Sequence, residues 1–349
     1  MTKQTWTAVV SAILFVVCAA VIAMVPVNYV VWAPGSTTNL LGASNGRPLV
    51  AISGVRTYPT SGDLMMTTVA VTRADAELSL PEALYAYWMP DREVLPREIV
   101  YPPGSSIGEV QQRETEQMDM SQSEAVAAAI QAAGLPIQRV PIVESVATAG
   151  PANGKIQAGD LLVKVDGKNV TTPEDVASLI EGHRVGDEVK FTIDRHQKTT
   201  EVDVVTSGSN TNPGRPVVGI TMGSGYRHSA VVEFNVDQSI GGPSGGLMFA
   251  LAVYDKLSPK NLVTGLRVAG SGMIDGTGKI TSVGAIDAKI SAAERDGASV
   301  FLVPESNCAD VSAKPRNIRL VKVSGLGQAI DALGDLQDPA HQAEVKGCS

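Results

Sequence analysis

Residues 239–257, SIGGPSGGLMFALAVYDKL, set Ser244 in a run of glycine and proline immediately before an apolar segment. The preceding AVVEFNVD, at 230–237, alternates apolar and polar side chains as a half-buried strand does. GLMFALAVYDKL is apolar on all faces, which predicts a buried helix, and it is too short to cross a bilayer. The stretch therefore predicts a mixed α/β domain in which a tight turn presents Ser244 at a helix N-terminus.

This stretch alone leaves two interpretations of Ser244 open. It is either part of a structural glycine-rich turn or a nucleophile whose oxyanion hole is formed by turn amides. The candidate oxyanion donors are the amides of Gly241, Gly242, Ser244 and Gly245. The letters GPSGG also satisfy the G-x-S-x-G pattern of α/β-hydrolases, which need a histidine downstream of the serine. His341, in a polar tail, is the only histidine there, so an esterase of that class is the weaker interpretation.

A lysine offers a different general base. Residues 281–304, TSVGAIDAKISAAERDGASVFLVP, predict a helix. At 100° per residue, Lys289 lies on the apolar face formed by Ile286, Ile290 and Ala293. Burial and a place in the first helical turn both lower the pKa of a lysine. Lys289 is thus a candidate base for Ser244, and a surface lysine that extends its ammonium to water is the alternative.

GGPSGG followed by SGMIDGTGKITSVGAIDAKISAAERDGASVFLVP resembles the proteolytic domain of Lon-type serine peptidases, over nearly all of residues 217–325. The resemblance implies that Ser244 is the nucleophile, that Lys289 is the general base and that the Ser271 hydroxyl orients the lysine. Gly241 stands where that family often carries an acid, so the role of a second carboxylate is left empty. GTGKIT does not fit the P-loop pattern, and we predict an ATP-independent enzyme without nucleotide, metal or other cofactor.

Residues 138–205 resemble the PDZ domain of bacterial proteases, most specifically in QAGDLLVKVDGKNV. Such domains bind an extended peptide as an added strand. The candidate peptide-binding residues are Val140, Ile142 and Val143, although the family pattern has glycine at the position of Val140 and Pro141 lacks an amide donor. A PDZ fold that acts only as a spacer is the alternative.

The N-terminal segment is predicted to be an uncleaved, single-pass signal anchor rather than a cleaved signal peptide. No charged residue lies between Lys3 and Arg47, and an uncharged run of about 18 residues suffices for a bilayer core. Trp6, Tyr29 and Trp32 flank the segment as interfacial aromatic residues do. Lys3 supplies the charge that orients the segment, which predicts an extracytoplasmic location for the rest of the chain.

Two further features restrict the class of protein. Cys308 and Cys348 are candidates for a disulfide in an oxidising compartment, with two free thiols as the alternative. The net charge of −8 excludes nucleic acid as the main partner, because no basic surface is available to neutralise phosphates.

The sequence thus predicts an α+β multidomain chain. Its predicted parts are a signal anchor at 1–34, a strand-rich segment plus helix at 35–134, a PDZ domain at 135–206, a flexible polar linker at 206–216, a Lon-type proteolytic domain at 217–335 and a polar tail at 336–349. This order resembles the membrane-anchored, PDZ-containing Lon-like proteases. The resemblance implies a serine endopeptidase that acts on proteins or peptides and assembles as a homo-oligomer. A non-catalytic PDZ-containing envelope scaffold that binds peptides or partner proteins is the alternative.

Overall fold

The computed structural model describes residues 3–195, 197–209, 211–237 and 239–348. It describes only the backbone of Lys3, so the charge on which the predicted orientation depends lies outside the described atoms. The chain divides into two compact units. The first unit combines Met1–Ala133 with Val232–Ser349, and the second is Gly134–Val231.

The elements follow one another in three groups. The chain up to the second unit contains α1 (Lys3–Met24), β1 (Pro26–Val27), β2 (Tyr29–Asn39), β3 (Ala43–Ser44), β4 (Arg47–Pro48), β5 (Val50–Ser53), β6 (Asp63–Val71), β7 (Leu78–Ser79), α2 (Leu80–Trp88), β8 (Glu93–Pro96), α3 (Arg97–Val100) and α4 (Ile107–Ala132). The second unit contains β9 (Ile137–Val146), β10 (Leu161–Val165), β11 (Lys168–Asn169), α5 (Pro173–Glu181), β12 (Glu188–Arg195), β13 (Lys198–Val205), β14 (Ser207–Gly208), β15 (Pro216–Val217) and β16 (Ile220–His228). The remainder contains β17 (Val231–Phe234), α6 (Gly246–Leu257), β18 (Arg267–Gly270), β19 (Met273–Ile274), β20 (Ile280–Thr281), α7 (Ile286–Arg295), β21 (Val300–Pro304), β22 (Arg319–Val323) and α8 (Leu326–Gln337), with 3-10 helices at Glu305–Asp310 and Gln342–Glu344.

The central sheet of the first unit has the strand order β22–β21–β18–β6–β2–β8. β6, β18, β21 and β22 are parallel, whereas β2 runs antiparallel to both of its neighbours. Strands from residues 35–134 and from residues 217–335 therefore share one sheet. The boundary between these two segments stays a prediction. In the structure, strands of the first segment complete the sheet of the second.

Helices cover both faces of this sheet, and the alternation of side chains along β6 shows how. Met65 packs with Ile286 and Ile290 of α7, whereas Met66, the next residue, lies against Gly245 just before α6. α6 and α7 thus lie on opposite faces. The prediction that α6 is a buried helix is confirmed, because its residues from Gly246 to Val253 are all buried.

The second unit is built on the sheet β13–β12–β10–β9–β16, with β11 paired to β10. Thr172 caps α5 by accepting a hydrogen bond from the Asp175 N–H, and Pro173 is the first residue of this helix. The described residues of the predicted linker at 206–216 are not simply flexible, because β14 pairs antiparallel with β15. Residues 220–228 pair with β9 and so lie in this unit.

α1 is an apolar helix that is not packed inside the protein. Its segment Gln4–Met24 is long and apolar enough to cross a membrane, and a secretory signal sequence satisfies the same criterion. Trp32 is partly buried, and its ring lies where a side chain at Gly284 would be, next to α7; its place at a membrane interface stays a prediction.

At the other end of the chain, a disulfide joins Cys308 to Cys348, with 5.2 Å between their Cα atoms. It ties the C-terminal tail to the 3-10 helix that follows β21.

Candidate active site

Ser244 lies in the turn that leads into α6, one residue before the Gly245 N-cap. The turn requires glycine at Gly242, whose φ of +82° falls in the left-handed region that other residues rarely adopt. Ser244 is half-buried and lines an open cleft. The turn therefore presents the Ser244 hydroxyl beside backbone amides at a helix N-terminus, as its glycine-rich sequence predicts.

α4 supports this turn from the preceding part of the chain. The Gly242 N–H donates to the Glu114 carbonyl at 3.0 Å, and the Ser121 hydroxyl donates to the Pro243 carbonyl at 2.9 Å. The amide of Gly242 is therefore already occupied and is removed from the predicted oxyanion donors. The N–H groups of Ser244 and Gly245 donate to no described residue, and they remain the best placed donors of the turn.

The segment after β18 holds the turn from the other side. The Gly272 N–H and the Ser271 hydroxyl both donate to the Ser244 carbonyl, each at 2.9 Å. The Leu247 N–H donates in turn to the Gly272 carbonyl at 3.0 Å. These three hydrogen bonds fix the backbone of Ser244 against the carboxyl end of a parallel strand, the edge of an α/β sheet where sites commonly form.

Lys289 reaches the same place from α7. Its side chain is 3% exposed, and its Nζ donates to the Ser271 hydroxyl at 3.0 Å. The predicted apolar face is confirmed, because Ile286, Ile290 and Ala293 are buried with it. Within the described residues, no carboxylate lies within ion-pair distance of Nζ, and burial lowers the pKa of the lysine from 10.5 to about 8. The alternative of a lysine that extends to water is wrong.

Ser244 and Lys289 line one cleft with a cavity volume of about 620 Å³. The sequence did not predict most of the cleft wall, which includes Trp32 from β2, Tyr101 after α3 and Glu114 from α4. Glu114 is the one carboxylate among the described residues that line the cleft. Partial burial raises the pKa of its carboxyl. The acidic sequence of α4 gives no signal that distinguishes Glu114 from its neighbours.

Glu114 occupies the position that the sequence left empty. A Cβ atom added to Gly241 would lie 3.1 Å from Glu114 Oε2 and 2.7 Å from its Cβ. A carboxylate is thus present next to the turn, but it comes from α4 rather than from residue 241.

His341 lies elsewhere. Its Nδ1 is 3.0 Å from Asp338 Oδ2 in an exposed part of the C-terminal tail, and it does not line the cleft. No Ser-His arrangement of the α/β-hydrolase type is formed by these residues.

The candidate peptide-binding residues of the second unit lie on β9, and both edges of that strand are occupied. Ile142 pairs with Gly223 of β16 on one side and with Leu161 of β10 on the other. The side chains of Val140 and Val143 are buried. These three residues therefore leave no edge for an added peptide strand, and their predicted role is corrected.

In the described residues, the sheet ends at β13 on one side and at β16 on the other, and β16 is the terminal strand next to β9. A groove of about 460 Å³ lies along it, lined by α5, β15 and the start of β16. Gly219, at the mouth of this groove, has a φ of +79°. The sequence does carry a signal for this groove. The glycine that the family pattern has at the position of Val140 occurs instead as Gly219, in the apolar run Val217–Ile220.

Two families match parts of this chain. The family described as "PDZ domain" matches residues 113–206, and the family described as "Lon protease (S16) C-terminal proteolytic domain" matches residues 234–331. The second match contains Ser244, Ser271 and Lys289. The domain content is that of a protease.

Individual relatives cover less of the chain. "Serine protease Do-like HtrA" of Lactobacillus helveticus is 38% identical over 58 residues, which are 17% of this chain and 14% of that protein. The chain thus spans about one seventh of the length of this curated relative.

Among solved structures, the PDZ domain of the SdrC-like protein Lin2157 of Listeria innocua is 28% identical over 24% of this chain and 92% of that one, with a TM-score of 0.23. GtR34C of Geobacillus thermodenitrificans is 31% identical over 24% of this chain and 95% of that one, with a TM-score of 0.22.

Proposed function

We propose that this chain, which joins a PDZ domain to a Lon-type proteolytic domain, is an ATP-independent serine endopeptidase that uses Ser244 and Lys289 as its catalytic dyad. One observation carries the proposal: the buried Lys289 amine donates to the Ser271 hydroxyl, which itself donates to the carbonyl of Ser244. This relay gives Ser271 an acceptor role toward the lysine and fixes one N–H of the amine. The lone pair of a neutral amine is then free to act on the hydroxyl of Ser244.

In the first step, neutral Lys289 takes the proton of Ser244 Oγ while that oxygen bonds to the carbonyl carbon of a peptide. The carbonyl oxygen becomes negative, and the N–H groups of Ser244 and Gly245 are the turn donors available to stabilise it. The lysine then passes its proton to the leaving amine as the C–N bond breaks, which leaves an acyl-enzyme. Water attacks this ester while Lys289 takes one of its protons, and the lysine then gives that proton to Ser244 Oγ, which leaves as a hydroxyl as the ester bond breaks.

The lowered pKa of Lys289 supports the role of base. With a pKa of about 8, about one tenth of the lysine side chains are neutral at pH 7, against fewer than one in a thousand for an ordinary lysine. Burial supplies this change without a neighbouring cation, because desolvation is the cause of the shift. A buried amine held by one neutral hydroxyl is therefore ready to accept a proton near neutral pH.

The other parts of the chain suit an enzyme at a membrane surface. We place the two units on the extracytoplasmic side of the membrane, with α1 as the anchor. The disulfide between Cys308 and Cys348 supports this side, since such bonds persist in oxidising compartments. The groove along β16 is the proposed site for an extended peptide, either a substrate segment or a partner, and assembly as a homo-oligomer completes the proposal.

The dyad is tested by labelling the purified full-length chain with a fluorophosphonate in the absence of nucleotide. Wild-type protein is expected to carry the label on Ser244 and to cleave an unfolded protein substrate, and Ser244→Ala is expected to lose both. Ser239→Ala is the matched control, because this serine lines the same cleft and should leave labelling unchanged. A Ser244→Ala protein with wild-type cleavage would refute the dyad. Folded wild-type protein that neither reacts nor cleaves would favour a scaffold.

A further inference from the structure

The short helix α2 buries small side chains and exposes large apolar ones. Ala83 and Ala86 are its buried residues. At 100° per residue, the opposite face is formed by Pro81, Leu84, Tyr85 and Trp88. Leu84, Tyr85 and Trp88 are 43%, 54% and 71% exposed. A helix on a water-facing surface normally places charged side chains there, so this face lacks its partner.

The one charged residue of α2 does not counter this. Glu82 lies on the flank of the helix, and its carboxylate turns back to accept hydrogen bonds from the Ser79 N–H at 2.9 Å and from the Ser79 hydroxyl at 2.7 Å. These contacts form a capping box, which holds the acid at the helix N-terminus. The outward face therefore presents aromatic and aliphatic groups without a charge of its own. A cation lies beside this face: the Arg92 guanidinium is 5.4 Å from the centre of the Tyr85 ring.

The position of α2 indicates what covers it. The Leu80 N–H, at the first residue of α2, donates to the Val25 carbonyl just after α1, at 3.3 Å. β1, which follows Val25 in the chain, pairs with β7, and β7 leads into α2 without an intervening residue. The exposed aromatic face is thus fixed at the C-terminal end of the apolar helix α1. Tyr29, which is 44% exposed, follows β1 closely in the same region.

We propose that α2 lies in the membrane–water interface, with Pro81, Leu84, Tyr85 and Trp88 among the lipid headgroups beside the point where α1 enters the bilayer. Tyrosine and tryptophan favour this zone because each has an apolar ring and a polar atom that stays hydrated. A helix of about 13 Å is far too short to cross the bilayer, so it lies along the surface. The alternative occupant is a second copy of the chain. A dimer surface would not need to be attached to the end of α1, so this attachment favours lipid as the occupant.

The inference depends on the insertion of α1 and is independent of the peptidase activity. The interface contact would hold the first unit, and with it the cleft of Ser244, in a constant orientation to the membrane rather than on a loose tether. Any substrate that reaches the cleft would then approach from a restricted range of heights above the bilayer.

The test uses the full-length chain in phosphatidylcholine liposomes and the fluorescence of single tryptophans. Trp6→Phe with Trp32→Phe leaves Trp88, and Trp32→Phe with Trp88→Phe leaves Trp6. Trp6 reports whether α1 is inserted. For Trp88 we expect blue-shifted emission that lipids brominated near the headgroup quench more strongly than lipids brominated at the chain end. Adding Leu84→Ser and Tyr85→Ser should lower this quenching severalfold, whereas Met120→Ser, at an exposed apolar residue of α4, should leave it unchanged.

Three results would overturn the inference. Trp6 without quenching would show that α1 does not lie in the bilayer. Trp88 with the emission of a water-exposed indole would show that α2 has no cover. Trp88 that is blue-shifted but insensitive to brominated lipid would show that a protein surface covers it.

Discussion

Replacing Lys289 with methionine should abolish proteolysis and yet stabilise the first unit near neutral pH. Below pH 10.5 the unfolded chain holds a proton on this lysine, whereas the folded chain holds it only below about 8. Between these values unfolding takes up a proton, so the stability of the wild type rises with pH. Below pH 8 both states are protonated, and the folded state bears the full cost of a buried ammonium.

The size of the effect follows from the shift in pKa. A change from 10.5 to about 8 corresponds to about 3 kcal/mol of lost stability at pH 7, which shrinks to about 1 kcal/mol at pH 10. Methionine has a similar shape and no charge, so Lys289→Met escapes this loss. Its stability relative to wild type should therefore fall by about 2 kcal/mol between pH 7 and pH 10. Loss of the hydrogen bond to Ser271 changes the free energy of unfolding of the variant by an amount that does not depend on pH.

Urea unfolding of wild type and Lys289→Met at several pH values measures this difference. All three tryptophans, Trp6, Trp32 and Trp88, belong to the first unit, so their fluorescence reports that unit and not the second. Lys260→Met, at an exposed lysine of the same unit, is the matched control and should show no pH-dependent gain. A difference between Lys289→Met and wild type that stays constant from pH 7 to pH 10 would refute a buried lysine with a lowered pKa.

Four further outcomes are expected. The value of kcat/KM should rise with pH and level off above about 8, because the neutral form of Lys289 is the active one; a flat profile would exclude it as the base. Ser271→Ala should lower kcat by about 10- to 100-fold with little change in KM, and Ser271→Thr, which keeps the hydroxyl, should restore most of it in steady-state assays. Glu114→Gln should weaken, by about 2- to 5-fold, the preference for a lysine-containing peptide over its methionine analogue, measured as the ratio of their kcat/KM values. Protonation of Glu114 at low pH should remove the same preference from the wild type. Cys348→Ser should lower the free energy of unfolding of the first unit by up to about 4 kcal/mol, the loop-closure value for 40 residues, and equal urea midpoints for the two proteins would contradict a structural disulfide.

The sequence by itself determined features that depend on neighbours three or four residues apart. The burial of α6, the apolar face that carries Lys289 and the capping of α5 by Thr172 all follow from helical periodicity and local hydrogen bonding. The helix α4 ends at Ala132, and Gly134 close behind it adopts the positive φ that commonly follows a helix C-terminus. Such signals are local, so one sequence is enough to interpret them.

Tertiary structure decided which distant groups meet. Ser271 contacts Ser244 across 27 residues, and Ser121 supports the turn across 122, distances over which no periodicity extends. Pairing between β9 and β16 placed Gly223 beside Ile142 and moved the free edge of the second unit away from the predicted residues. Strand patterns alone do not reveal an edge, because an edge is defined by the partner that is missing.

The turn around Ser244 shows both contributions together. Its glycines and the apolar helix behind it were enough to predict a serine presented at a helix N-terminus. Only the fold determined that the Gly242 amide is used by α4 and that a carboxylate stands beside Gly241. The physical reason is that backbone conformation is set by residues in the turn itself, whereas hydrogen-bond partners and charges come from whatever the rest of the chain packs against it.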